Sequence, residues 1–176
     1  NPGTLILGQG SVIADGFNQN AGTLQLLPGT IFSTTSSPLT NTGLIGGHGT
    51  LITGGTGLLN QGTVSPGGTG SIGSLRITGN YVQHGSGTLR IERGTSGTDA
   101  LLVSNTATLN GTLAVSELPG YVAVGGATDV VTAATLNGSF TTATLPSGYT
   151  NATVANRHVL SYAGAICGGV CWDGGA

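Results

Sequence analysis

Short segments in which aliphatic and polar residues alternate recur along the whole chain. Thr4-Leu5-Ile6-Leu7, Thr23-Leu24-Gln25-Leu26, Ser74-Leu75-Arg76-Ile77, Thr88-Leu89-Arg90-Ile91-Glu92 and Thr112-Leu113-Ala114-Val115 are the clearest. A side-chain period of two predicts a brief β-strand for each. Leu75 with Ile77, Leu89 with Ile91, and Leu113 with Val115 are expected to face a core, leaving Arg76, Arg90 and Glu92 on the opposite side. Nearly every segment follows a Gly-Thr or Gly-Ser pair. Glycine accepts the positive φ of a sharp corner and threonine favours extended chain after it.

The corners themselves repeat. Asn20-Ala21-Gly22, Asn41-Thr42-Gly43 and Asn60-Gln61-Gly62 set one Asn-x-Gly triplet at intervals of 21 and 19 residues. A fixed period of roughly 20 residues is the signature of a coil stacked on itself. The fold expected is therefore all-β, a right-handed parallel β-helix with a hairpin-rich C-terminal cap. Asn20, Asn41 and Asn60 are candidates for a ladder at one corner, because Asn tolerates left-handed backbone and bonds neighbouring main chain. Residues 1–64 are expected to form rungs and 65–164 a cap that continues the helix, with 165–176 as a flexible Gly-rich tail. After Ser65-Pro66-Gly67-Gly68 the spacing loosens, and Asn110-Gly111 and Asn137-Gly138 carry the strongest hairpin signals.

Composition agrees with frequent turning. The 176 residues include 34 Gly but only six Pro and no Gly-X-Y triplet, which excludes collagen. Charged residues make up 6% of the chain, six acids against four arginines. Nucleic-acid binding needs clustered cations, and Arg76, Arg90, Arg93 and Arg157 are scattered, so no nucleic acid is expected as partner. No apolar run approaches the length of a membrane span. The start at Asn1-Pro2-Gly3, in mid-pattern, is what a piece cut from a longer polypeptide would show.

Several segments together carry a family resemblance. The run Asn41-x-Gly43-Leu44-Ile45-Gly46-Gly47-His48-Gly49-Thr50-Leu51 is followed by Asn60-x-Gly62-Thr63-Val64-Ser65-Pro66-Gly67 and by Leu75-x-Ile77-x-Gly79-Asn80-Tyr81-x-Gln83. Gly87-Thr88-Leu89-x-Ile91, Asp99-x-Leu101-x-Val103 and Ala107-Thr108-Leu109-x-Gly111-Thr112-Leu113-x-Val115 come next. Over about residues 40 to 145 this order resembles the C-terminal passenger region of bacterial autotransporters. The resemblance implies a β-helix at the cell surface or secreted, carried across the outer membrane by its own C-terminal translocator barrel outside this chain. It also implies that the last section acts as an autochaperone, folding first and templating the rest. In the oxidising setting so implied, a local disulfide between Cys167 and Cys171 is expected.

The chemistry-bearing residues nominate no catalytic, cofactor or metal site. Cys167 and Cys171 have no second Cys or His pair beside them for zinc. His48, His84 and His158 are isolated and read as turn or surface residues. The acids are too dispersed to nominate a pair, and Asp99 and Asp129 read as turn caps. No G-x-S-x-G elbow occurs, and Gly67-Gly68-Thr69-Gly70-Ser71 lacks the Asp of a calcium nonapeptide. The leading expectation is a non-enzymatic structural and folding module. The alternative is an adhesin whose solenoid face contacts a host surface or other copies of itself. A polysaccharide-cleaving enzyme would need charged residues converging in one cleft.

Overall fold

The computed structural model describes residues 1–35 and 37–163. The described chain is all-β and winds through three sheets of eight, eight and six strands. All but three of the described strands pair in parallel with a counterpart one turn away, which makes a β-solenoid. The first sheet stacks Thr4–Leu7, Thr23–Leu26, Leu44–Gly47, Thr63–Pro66, Thr88–Gly94, Thr112–Glu117 and Thr142–Thr144. The second begins at Gly10–Ile13 and the third at Gln19–Asn20.

Register converts the alternating pattern into columns. Leu5, Leu24, Ile45, Val64, Leu89 and Leu113 lie one above another inside the first sheet. Phe32, Leu51, Ile77 and Val103 do the same in the second, and Leu39, Leu58, Tyr81, Ala107 and Leu136 in the third. Most of these side chains are wholly buried. Fully burying one aliphatic side chain is worth about 1.5–3 kcal/mol, so every added turn stabilises the one beneath it.

The coil does not give way to hairpins at Pro66. In the first sheet the step from one rung to the next is 19, 21 and 19 residues up to Thr63, then 25, 24 and 30 to Thr88, Thr112 and Thr142. The longer steps hold insertions, including the loop after Pro66 and a short antiparallel excursion pairing Arg93 with Thr98. Asn110-Gly111 is therefore a corner between the third and first sheets and Asn137-Gly138 the end of the third-sheet strand Thr135–Gly138 that leads into the next such corner, not hairpin turns. Their glycines sit at φ 63° and 72°, the left-handed conformation common to both settings. What a hairpin turn and a solenoid corner share is local, and what separates them is the partner strand, which lies a full turn away.

Antiparallel structure comes at the C-terminal end. Gly126–Thr132 adds in parallel to Ala100–Val103, then Arg157–Tyr162 pairs antiparallel with it and Tyr149–Val154 pairs antiparallel with Arg157–Tyr162. The hairpin closes at Ala155, at φ 51°. Ile6 and Ile13, 61% and 68% exposed, lie on the outer face of their strands, beside Gln25 and Ser33 of the next turn. No helix among the described residues is long and apolar enough to cross a membrane. Cys167, Cys171 and the segment 165–176 lie outside the described residues.

Candidate functional site

The Asn-x-Gly corners hold a buried polar spine. Asn20 Nδ2 donates to Asn41 Oδ1 at 2.9 Å, Asn41 Nδ2 to Asn60 Oδ1 at 2.8 Å, and Asn60 Nδ2 to Gln83 Oε1 at 2.9 Å. Asn1 extends the series at 3.1 Å to Asn20. Each amide nitrogen also donates to main chain in the next turn, to Leu44, Thr63 and Thr88 carbonyls. Tyr81 donates its hydroxyl to Gln83, and burial raises its pKa above the ordinary phenol value. Asn20, Asn41 and Asn60 are fully buried, and their bonds offset the cost of placing amides in a core.

The glycine of the triplet has a different cause from the one its sequence suggests. Gly22, Gly43 and Gly62 do not take a positive φ. Instead, a Cβ at each would drive into the main chain of the previous rung: Gly3, Gly22 and Gly43 carbonyl oxygens respectively. Two donors meet one acceptor there, since Thr42 N and Gly43 N both bond to Asn20 O, and Gln61 N and Gly62 N to Asn41 O. Close vertical approach, not corner geometry, selects glycine.

A charged cluster forms where the sequence shows only scattered acids. Glu92 and Asp99 are 1% and 0% exposed, although Glu92 lies on the outward side of its strand and Asp99 just before the strand Ala100–Val103. The antiparallel excursion between them folds Asp99 back, so that Asp99 Oδ2 accepts Glu92 N at 2.8 Å. Asp99 Oδ1 accepts Gly73 N at 2.8 Å, and Glu92 Oε2 accepts Gly70 N at 2.6 Å. The two carboxylates thereby clasp the Gly-rich loop over the solenoid wall, with Arg90 bridging to Glu92 at 2.8 Å. Desolvation pushes the Asp99 carboxyl up to about 7 against the two backbone donors, with the Glu92 charge adding to the rise and Arg90 opposing it. Both acids are spent on main-chain donors beneath a loop. The two glycines at Gly94 and Gly97 are the signal in the sequence that could have found this fold-back.

The capping hairpin is fastened to the coil by Arg93. Its guanidinium carbon lies 5.2 Å from the Tyr121 ring centre and 5.1 Å from that of Tyr149, and its Nε donates to Thr98 Oγ1 at 3.1 Å. Arg93 Nη1 is buried without a hydrogen-bond acceptor among the described residues, and the aromatic faces supply an electrostatic partner. Tyr149 donates to Glu117 Oε1 at 2.6 Å, and burial together with that bond raises its pKa. Glu117 is the register partner of Arg93 one rung on.

The histidines divide. His48 is half-buried with Nε2 3.2 Å from Ser71 Oγ, and exposed His84 contacts Ser86 at 2.9 Å. His158, expected at a surface or turn, is instead 1% exposed between Asn151 Oδ1 and Thr153 Oγ1, each at 3.0 Å. Desolvation lowers its pKa to about 4. Asp129 caps no turn but sits in a strand, 3.2 Å from Arg157 of the adjoining one. Among the described residues no group of three or more His, Cys, Asp or Glu is placed to hold a metal ion. Compared with known proteins, the chain matches no family model, no curated protein and no solved structure.

Proposed function

We propose that this chain is a structural and folding module of an autotransporter passenger, at the bacterial cell surface or secreted, with its own translocator barrel as partner. The observation that supports this most is the antiparallel cover at the C-terminal end of the coil. An antiparallel hairpin covers the last parallel strand of the second sheet and is pinned by Arg93. A rung in a solenoid contacts only its neighbours, so a stable terminal unit offers a template on which parallel strands add one at a time. Parallel pairing across about 20 residues is slow to nucleate, which is the step a preformed template removes. Emergence of the C-terminal end first would then let folding outside the membrane hinder backsliding.

The test is surface display. Placed ahead of a translocator barrel in a Gram-negative host, the full chain is expected at the surface in protease-resistant form. The same chain without residues 126–162 is expected to be degraded or retained. Equal display and equal protease resistance would overturn the proposal.

A second reading, self-association or adhesion, draws on one observation. Thr4, Thr23, Thr63, Thr88, Thr112 and Thr142 form an outward column on the first sheet, interrupted by Leu44. Purified chain that competes in a cell-aggregation assay would favour that reading, since a pure stalk does not compete.

A further inference from the structure

A shallow groove of about 350 Å³ crosses three successive turns on the outside of the third sheet, lined by Thr56, Asn80, Val82, Thr106 and Thr108. Val82 and Thr108 are register partners on neighbouring strands, so the groove runs along the solenoid axis. Among the described residues, the hydroxyls of Thr56, Thr106 and Thr108 make no hydrogen bond to protein. Asn80 is oriented through its Oδ1, which accepts Thr106 N at 3.2 Å, and its amide N–H groups meet no acceptor among the described residues.

The chemistry of this wall narrows what fits it. No charged residue lines the groove, which disfavours anionic or cationic ligands. The strands beneath, Tyr81–Gln83 and Thr106–Leu109, are both interior to the six-stranded sheet, with their edges already paired. An extended peptide therefore finds no free main-chain edge to join. Three hydroxyls and an amide around one Val disfavour a wholly apolar ligand. What remains complementary is a neutral molecule that offers many hydroxyls and an occasional C–H face. We propose that the groove binds a linear, uncharged, β-linked glycan lying along the axis. The rung spacing of about 4.8 Å sets donors and acceptors at a repeat close to the advance of such a chain per sugar. This inference does not depend on the folding role, since a stalk with or without a templating cap presents the same wall.

The experiment is a backbone amide NMR titration of the full chain with cellohexaose and mannohexaose, with hexagalacturonate as charged control. Saturable shifts confined to the amides of residues 56, 80–82 and 106–108 are expected with at least one neutral glycan and not with the acidic one. Thr106→Val and Thr108→Val together keep shape and remove two hydroxyls, and should weaken binding about tenfold. Circular dichroism confirms that the double variant remains folded, and Thr108→Ser, which keeps a hydroxyl, should retain most of the affinity. Absence of saturable shifts with both neutral glycans, undiminished affinity in a folded double variant, or preference for hexagalacturonate would each overturn the proposal.

Discussion

Arg93 is held against the face of Tyr149, its guanidinium 5.1 Å from the ring centre, and this contact joins a parallel rung to the antiparallel hairpin that caps it. Arg93 belongs to the strand Thr88–Gly94 of the coil and Tyr149 to Tyr149–Val154 of the cap. A second ring, Tyr121, stands 5.2 Å from the same cation. The cap is thus attached through a side chain that cannot lose its charge, with Glu117 closing the arrangement through the Tyr149 hydroxyl.

Arg93→Met keeps much of the side-chain volume and removes the charge. Two desolvated cation–aromatic contacts are together worth roughly 1–4 kcal/mol, so a loss of about 2 kcal/mol is expected in denaturant unfolding. Tyr149→Phe retains the ring and gives up only the bond to Glu117, and should cost about 1 kcal/mol. Equal losses in the two variants would place the energy in the hydroxyl and not in the stacked cation.

Gly43→Ala and Gly16→Ala separate two reasons for glycine. Gly16 has φ 83° and open space where a methyl group would sit, so the substitution meets only backbone strain, about 1 kcal/mol. Gly43 has ordinary φ but its methyl would strike the main chain of Ala21 and Gly22. The rungs must part there, with an expected loss of about 3 kcal/mol. Thermal unfolding of the two variants checks the order.

Asn41→Leu fills the same space without the amide. It strands the Asn60 Oδ1 and Thr63 carbonyl that Asn41 serves and leaves Asn20 Nδ2 with only its main-chain acceptors. Each buried group left unpaired costs about 1–3 kcal/mol, and the sum should exceed the effect of Asn1→Ala at the half-buried first member of the spine. Denaturant midpoints for both variants provide the comparison.

Two buried groups give stability a defined pH dependence. Asp99 has its pKa raised from 3.8 to about 7, so the folded state binds the extra proton and this group's stabilisation is lost as pH rises through about 7. His158 has its pKa lowered from 6.5 to about 4, so its contribution is present above 6.5 and lost as pH falls toward 4. Melting temperature should therefore rise by roughly 2–3 °C from pH 8 to 6.5 and then level off where the two oppose. In Asp99→Asn the rise should vanish, leaving a decline below pH 6.5. A wild-type profile that is flat from pH 8 to 6.5 would contradict the assignment to Asp99.

The period and the inward columns were legible because both are local. Leu75, Ile77, Leu89 and Ile91 alternate within single strands, and the Asn-x-Gly spacing reports the length of a turn directly. Glu92 was legible only as facing outward, since what buries it is a loop some 20 residues away in sequence. Asn110-Gly111 misled for the same reason: a glycine in left-handed conformation suits a hairpin or a corner equally, and the choice lies in which strand is waiting. Gly43 shows the converse, a residue whose presence was conspicuous but whose cause, the carbonyl one rung below, belongs to another turn of the coil.

The claim that the cap templates the coil is tested most directly by pulsed hydrogen exchange during refolding of the full chain. Amides of Gly126–Thr132, Tyr149–Val154 and Arg157–Tyr162 are expected to gain protection first, followed by rungs in order back toward Thr23–Leu26 and Thr4–Leu7. Protection arising first at Thr4–Leu7 and Thr23–Leu26, or simultaneously across all rungs, would contradict it.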